Sequence, residues 1–435
     1  MSIALEELQN EAEEAFKRGD WWNALAGFGA IATVDPDHFV SRLRIADCTL
    51  NLGKRDEALE LYKVLAWHAI KIGYPLLGLI AVKMALLLAP NTEDILLILS
   101  ELYSRDSDRV DNRWGGPAYP SLANLERDPL QGTEEEVFSQ AMRGALRIEE
   151  KNDFPDRLPA IPLFSELDED AFVHILDKIK LRRYADDEVI IREGEHGDSF
   201  YIIADGHVLV KKDIEEDEPS TLAHLTTGAV FGEMSLISDE PRAASVVALG
   251  NVDVLEVYRG DLIVAAAQMR SVTDALKKFT RDRFLGNLTA THPLFSPLKK
   301  EDRQVVIDRV VPLTFAAGEE LIIEGQAASG LFLILSGEAE VSKSTDFERV
   351  HLATLKAADI CGEMSMLGDV PTSATVTAKE QVEVLFLSRE GFQEVVQEFP
   401  ELMRYLAGLT EERVRKNRAM LGEKGVFEDD NRVMI

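Results

Sequence analysis

The residues whose types and spacing could do chemistry lie in one stretch, Val230-Phe231-Gly232-Glu233-Met234-Ser235-Leu236, closed shortly afterwards by Pro241-Arg242-Ala243-Ala244. Gly232 has no side chain, so the backbone there can come close to a ligand. The turn that follows, through Met234 and Ser235, offers amide N–H groups that suit an anion. Arg242 brings a planar fork of donors matched to two phosphate oxygens, with the amides of Ala243 and Ala244 beside it. Glu233 is then left to accept a hydrogen bond from a ribose hydroxyl. Taken singly, a Gly-Glu loop or an arginine ahead of a strand is an ordinary surface feature. Together they describe the sugar and the phosphate of a cyclic nucleotide.

Other chemistry is sparse. The eight histidines, His38, His68, His174, His196, His207, His224, His292 and His351, include no i, i+4 pair, and neither cysteine joins one at a usual zinc spacing. His196 falls near the expected pocket, where a solvated loop histidine is the plainer account. No phosphate-binding G-x-x-x-x-G-K-[ST] loop, nucleophile elbow or kinase signature is found. The expectation is a protein that is not an enzyme and carries no cofactor or metal. Basic residues at Lys277, Lys278, Arg281 and Arg283, and at Arg413, Arg415, Lys416 and Arg418, read as solvated helix faces or dipole partners.

The whole chain narrows the setting. With 47 basic and 77 acidic residues among 435 the formal charge is −30, which suits neither nucleic acid nor an anionic membrane surface. Any nucleotide anion must therefore be held by local dipoles and one arginine. Only Cys48 and Cys361 are present, which fits a reducing compartment. The N-terminus shows no secretion signal, and the greasy run Pro75 to Pro90 contains Lys83 and is short for a bilayer. A cytoplasmic location is expected.

The elements that must position the motif follow from periodicity. Residues 1–103 read as helices with a period of 34, carrying Gly19, Ala24 and Phe28 onto Gly53, Ala58 and Tyr62. This resembles the tetratricopeptide repeat, which implies stacked helix pairs and a groove for a protein partner. A third unit is suggested by Gly73, Ala85 and Pro90 at a different spacing. Residues 104–160, broken by glycines and prolines, read as a linker with one helix near Glu134 to Glu149. A duplication follows: Pro162-Leu163-Phe164-Ser165 returns as Pro293-Leu294-Phe295-Ser296, and Gly232-Glu233-Met234-Ser235 as Gly362-Glu363-Met364-Ser365. Short alternating β segments with turn signals inside each copy predict a jelly roll with helices before and after it. The fold class is thus α+β multidomain, an all-α helical repeat domain and then two jelly rolls. The copies occupy 161–288 and 289–421, with a tail at 422–435.

The segment from Phe231 to Ala244 resembles the phosphate-binding cassette of the cyclic nucleotide-binding domain family, and the similarity extends over about residues 160 to 420. The resemblance implies a cyclic nucleotide as ligand. Ala243, where cGMP-selective members tend to carry Thr or Ser, leans it towards cAMP and makes cGMP less favoured. In the second copy Thr372 stands where Arg242 stands in the first, and Cys361 replaces Phe231. That copy is expected to hold no cyclic mononucleotide and to serve as a docking or homodimer-forming domain. The Crp-like members add a DNA-binding helix-turn-helix, for which the residues after Leu421 are too few. The regulatory subunits of the cAMP-dependent kinase add paired arginines before the first domain, and between Glu149 and Ile161 only Lys151 and Arg157 occur. The chain looks more like a bacterial relative with a helical interaction module.

Overall fold

The computed structural model describes residues 3–90, 94–111, 115–117, 121–123, 125–147, 155–212, 220–236, 241–344, 349–368 and 370–423. They gather into two compact units, Met1–Thr280 and Arg281–Ile435.

Glycines set the turns of the helical region. Six helices, α1 Leu5–Lys17, α2 Trp21–Val34, α3 Phe39–Asn51, α4 Arg55–Lys71, α5 Pro75–Leu88 and α6 Asp94–Tyr103, form successive hairpins. Gly19 (φ +74°) and Gly53 (φ +80°) occupy the left-handed turn inside the first two pairs, a conformation that costs other residues steric strain. Ala24 and Ala58 are fully buried, as are Phe28 and Tyr62, so the 34-residue period marks real packing positions. Gly73 (φ +100°) lies instead between α4 and α5. That explains its different spacing: it joins two pairs and does not turn within one.

The stretch read as a linker is built into this helical body. Its helix, α7 Glu134–Leu146, begins on a capping box in which Thr133 and Glu136 satisfy each other's backbone N–H groups. A Cβ on Gly29 of α2 would lie 2.6 Å from Leu130 and 2.8 Å from Ala141. Glycine is what lets α2 and α7 approach this closely.

The first β sandwich belongs to the same compact unit. After α8 Glu169–Lys178, its main sheet orders the strands Lys180–Tyr184, Ser245–Tyr258, Ser199–Lys212 and Ser220–Thr226, all antiparallel, with Val189–Ile191 and Val230–Phe231 paired to the side. Alternation along Ser199–Lys212 divides its side chains between two cores. Phe200 and Ile202 join a cluster that runs without a break from Leu5 of α1 to Phe279. Tyr201 and Ile203 face the other way, with Ile191, Phe231 and Val254. Lys83 of α5 also donates to the Leu176 carbonyl of α8 at 2.5 Å, at the end of the helix where the dipole favours a cation. Burial lowers this amine's pKa to about 8. Two helices follow the sandwich, α9 Arg259–Gln268 and α10 Arg270–Thr291.

The second unit repeats the plan with α11 Lys300–Ile307 and two four-stranded antiparallel sheets. One orders the strands Val311–Phe315, Val382–Ser388, Gly330–Ser336 and Ile360–Cys361; the other orders Glu320–Ile322, Thr375–Ala378, Ala339–Ser344 and Arg349–Leu355. α12 Glu363–Gly368 lies between strands, and α13 Arg389–Glu398 and α14 Glu401–Glu423 close the unit. The break between these two falls at Phe399 and Pro400, a residue that cannot continue a helix. No helix among the described residues is long and apolar enough to cross a membrane.

Candidate functional site

The Gly-Glu motif of the first domain sits where a strand becomes a turn. Val230–Phe231 pairs with Tyr201 and Ile202, and the chain then enters a 3-10 turn over Glu233–Leu236. Gly232 makes the junction at φ +77°, and a Cβ there would meet Arg242 Nη1 at 2.9 Å and Ile191 Cδ1 at 3.0 Å. Both the conformation and the crowding require glycine.

Arg242 reaches this turn from the far side. Its Nη1 donates to the Gly232 carbonyl at 2.8 Å and its Nη2 to the Ser199 carbonyl at 2.6 Å. The backbone around it is tied down as well: Gly194 N donates to Arg242 O, and Arg242 N to Glu195 O, both at 2.8 Å. The guanidinium is thus held in one orientation by the protein's own backbone. Partial burial lowers its pKa, against the opposing pull of Tyr201, Asp198 and Glu233; an arginine still stays charged. Gly197 forms the wall behind it, since a Cβ at that position would fall 2.6 Å from Arg242 Nε.

The remaining expected residues cluster as the sequence suggests. Glu233 is buried at 8 % exposure, Met234 is exposed at 39 %, Ala243 is exposed and Ala244 half-buried. Ser235 contributes backbone to the turn, and its side chain is outside the described residues, as are positions 237–240. Beneath the turn Tyr201 stacks on Phe231 with ring centroids 5.2 Å apart. The Tyr201 hydroxyl donates to Glu256 at 3.2 Å, and Glu256 also receives Arg182 Nε at 2.8 Å. Burial pushes the Tyr201 phenol well above its usual range. His196 is exposed. Phe279 is buried against Phe200, ring centroids 5.6 Å apart, and so does not cover a base in the site.

The second domain keeps the backbone frame and changes the chemistry. Gly325 N donates to Thr372 O at 2.9 Å and Thr372 N to Gln326 O at 2.8 Å, reproducing the ties around Arg242. The Thr372 hydroxyl, however, turns back onto the carbonyls of Ile323 (2.5 Å) and Gln326 (3.1 Å). A cavity of about 290 Å³ lies against Gly362, Glu363, Thr372, Ser373 and Arg413. Glu363, the counterpart of Glu233, is only 2 % exposed and takes an ion pair of 2.8 Å from Arg413 of α14. The same Arg413 nitrogen donates to the Ile360 carbonyl at 2.6 Å. The sequence places Arg413 on a solvated face or as a dipole partner; instead it is turned inward, because the buried carboxylate needs a counter-charge, which α14 delivers. Among the described residues no group of three or more His, Cys, Asp or Glu could hold a metal ion.

Residues 181–268 and 312–399 each match the family model of the cyclic nucleotide-binding domain. The chain is 34 % identical over 239 residues to the cAMP-dependent protein kinase regulatory subunit of Yarrowia lipolytica, covering 54 % of this chain and 58 % of that one. It is 31 % identical over 247 residues to the subunit of the same name from Eremothecium gossypii, covering 56 % and 49 %. The match therefore spans only about half the length of these relatives. Both are fungal, against the bacterial affinity expected. Among solved structures, the regulatory domain of Toxoplasma gondii PKA with cAMP aligns at 23 % identity and a TM-score of 0.28, over 57 % of this chain and 92 % of that chain.

Proposed function

We propose, starting from the two cyclic nucleotide-binding domains that the chain carries, that it is a non-enzymatic sensor of cAMP. The first domain is the sensing site. Arg242 and the amides of Ala243 and Ala244 take the cyclic phosphate, Glu233 takes the ribose, and the Gly232 to Leu236 turn closes on both. The second domain holds no cyclic mononucleotide, because Thr372 brings neither charge nor a donor turned towards the ligand. Removing one partner of a buried, hydrogen-bonded charge pair costs about 2–5 kcal/mol, or roughly 30- to several thousand-fold in affinity.

The observation that carries this reading is the contrast between the two copies. Arg242 is pinned on two carbonyls beside a buried carboxylate. The same backbone frame in the second copy holds an uncharged threonine, whose hydroxyl turns back onto the Ile323 carbonyl. Occupancy of the first site alters the chain's contacts with a protein partner through the helical repeats or the second domain. The relatives are named as regulatory subunits of a cAMP-dependent protein kinase, so a kinase is the first partner to test. Domain limits of 161–288 and 289–421, a tetratricopeptide character for 1–103, a homodimer through the second copy and a cytoplasmic setting belong to the same proposal.

Calorimetry with cAMP, cGMP and cyclic di-GMP on the wild type and Arg242→Ala separates this from its rivals. The reading predicts heat with cAMP that disappears in the variant. Silence with all three nucleotides favours a ligand-free scaffold, and heat that survives the substitution removes Arg242 from the phosphate.

A further inference from the structure

The strand that supplies one of Arg242's two carbonyls carries a buried charge cluster farther along. Ser199 opens the strand Ser199–Lys212, and its carbonyl accepts from Arg242. Six residues on, about 20 Å of extended chain, Asp205 pairs across the sheet with Asp253, in a stretch where the register shifts. Gly206 follows at φ +101°, and a Cβ there would meet the Asn251 carbonyl at 2.6 Å. The position of Asp205 is therefore set by a bulge that only glycine permits.

Side chains of α3 reach this bulge. Arg183 of the sheet binds Asp47 of α3 at 2.7 Å and Asp253 at 3.0 Å. Arg44 of α3 answers from the other side, 3.3 Å from Asp47 and 3.8 Å from both Asp253 and Asp205. Glu13 of α1 meets Arg44 Nε at 3.4 Å and receives Asn251 Nδ2 at 3.1 Å, while the Tyr62 hydroxyl of α4 donates to Asp47 at 2.5 Å. The side chains of Arg44, Asp47 and Asp253 are 5, 1 and 4 % exposed. With water excluded, ion pairs tolerate displacement poorly, because attraction falls with distance while the desolvation already incurred does not.

We propose that the Arg242 site is coupled to the helical body along this strand and through the Arg44–Asp47–Arg183–Asp253 cluster, so that occupancy of the first domain is read out on α1, α3 and α4. From Ser199 to Ile203 the strand pairs with residues 254–258 on one side and, at Tyr201 and Ile202, with Val230–Phe231 on the other, so a change in the grip on Ser199 is passed along it to the bulge at Asp205. The cluster must then rearrange with α3 or hold the strand back. This rests on the proposed function only for the identity of the ligand. Contiguity supplies the route, and the coupling is what an experiment must measure.

Amide hydrogen exchange on the full chain without nucleotide, wild type against Arg242→Ala, tests it. Loss of the grip on Ser199 is expected to speed exchange in α3 by at least about fivefold, the lower end of usual coupling, with α6 unchanged. Unchanged α3 exchange alongside a loosened 230–236 turn overturns the proposal, and so does uniform acceleration of α3 and α6, which marks general loosening. Gly197→Ala displaces the same guanidinium without removing it and gives the same comparison should Arg242→Ala fail to fold. Because no nucleotide is present, a calorimetric failure with cAMP would remove the ligand reading and leave this result standing.

Discussion

Gly197→Ala is a small change with a specific consequence. Gly197 is not in the left-handed region, so an alanine fits its backbone. Its Cβ would, however, stand 2.6 Å from Arg242 Nε and 2.8 Å from Cζ, well inside van der Waals contact. The guanidinium has to move, and the bonds of 2.8 and 2.6 Å to Gly232 and Ser199 cannot both survive. A hydrogen bond to a charged group is worth about 1.5–3 kcal/mol, so a displaced fork should weaken cAMP binding by roughly 10- to 150-fold. Stability should fall by no more than about 1 kcal/mol, since a half-buried arginine can turn towards water and leave no charge buried. Calorimetric titration and thermal melting of the same sample measure both quantities. Affinity within twofold of wild type, in a protein that melts normally, would refute the idea that the position of Arg242 governs the site.

Other expectations follow from the buried charges. Burial raises the Asp205 pKa to about 6, against the pull of Arg44, and also raises Asp253. A carboxyl raised in the folded state binds its proton more tightly there than in the unfolded chain, so its contribution to stability falls as pH rises from about 4 to 6. Asp205→Asn should therefore melt above wild type at pH 7.5, and the gap should shrink as the pH drops from 6 towards 4; a gap that widens on acidification contradicts this. In the second domain, Arg413→Ala strands the buried Glu363. It should cost about 3 kcal/mol, with partial recovery on adding Glu363→Gln, as read from denaturant melts that follow this unit.

The sequence disclosed the local parts of the site and hid the distant ones. Gly232, Glu233 and Arg242 could be read because a turn, an anion fork and a sugar acceptor must sit close together in the chain. Ser199 and Gly197 complete the grip from 43 and 45 residues away. Nothing in the residue types of the stretch from Gly194 to Tyr201 says that an arginine packs on it. Arg413 misled because a cation in a run of basic helical residues usually faces water, whereas here a buried glutamate draws it inward. Arg44 and Asp47 of α3 have the same ambiguity: an i, i+3 ion pair looks like surface until Arg183 and Asp253 appear opposite it. Helices α1 to α4 were legible from their glycine and alanine period. The packing of α7 onto α2 was not, because Gly29 signals a close approach without naming what approaches.

A crystal structure of the full chain grown with cAMP is the most direct test. The account predicts one nucleotide per chain, its phosphate against Arg242 and the Ala243 and Ala244 amides, its ribose on Glu233, and none beside Thr372. Nucleotide density beside Thr372 with the Arg242 pocket vacant, or no nucleotide in either domain, would contradict it.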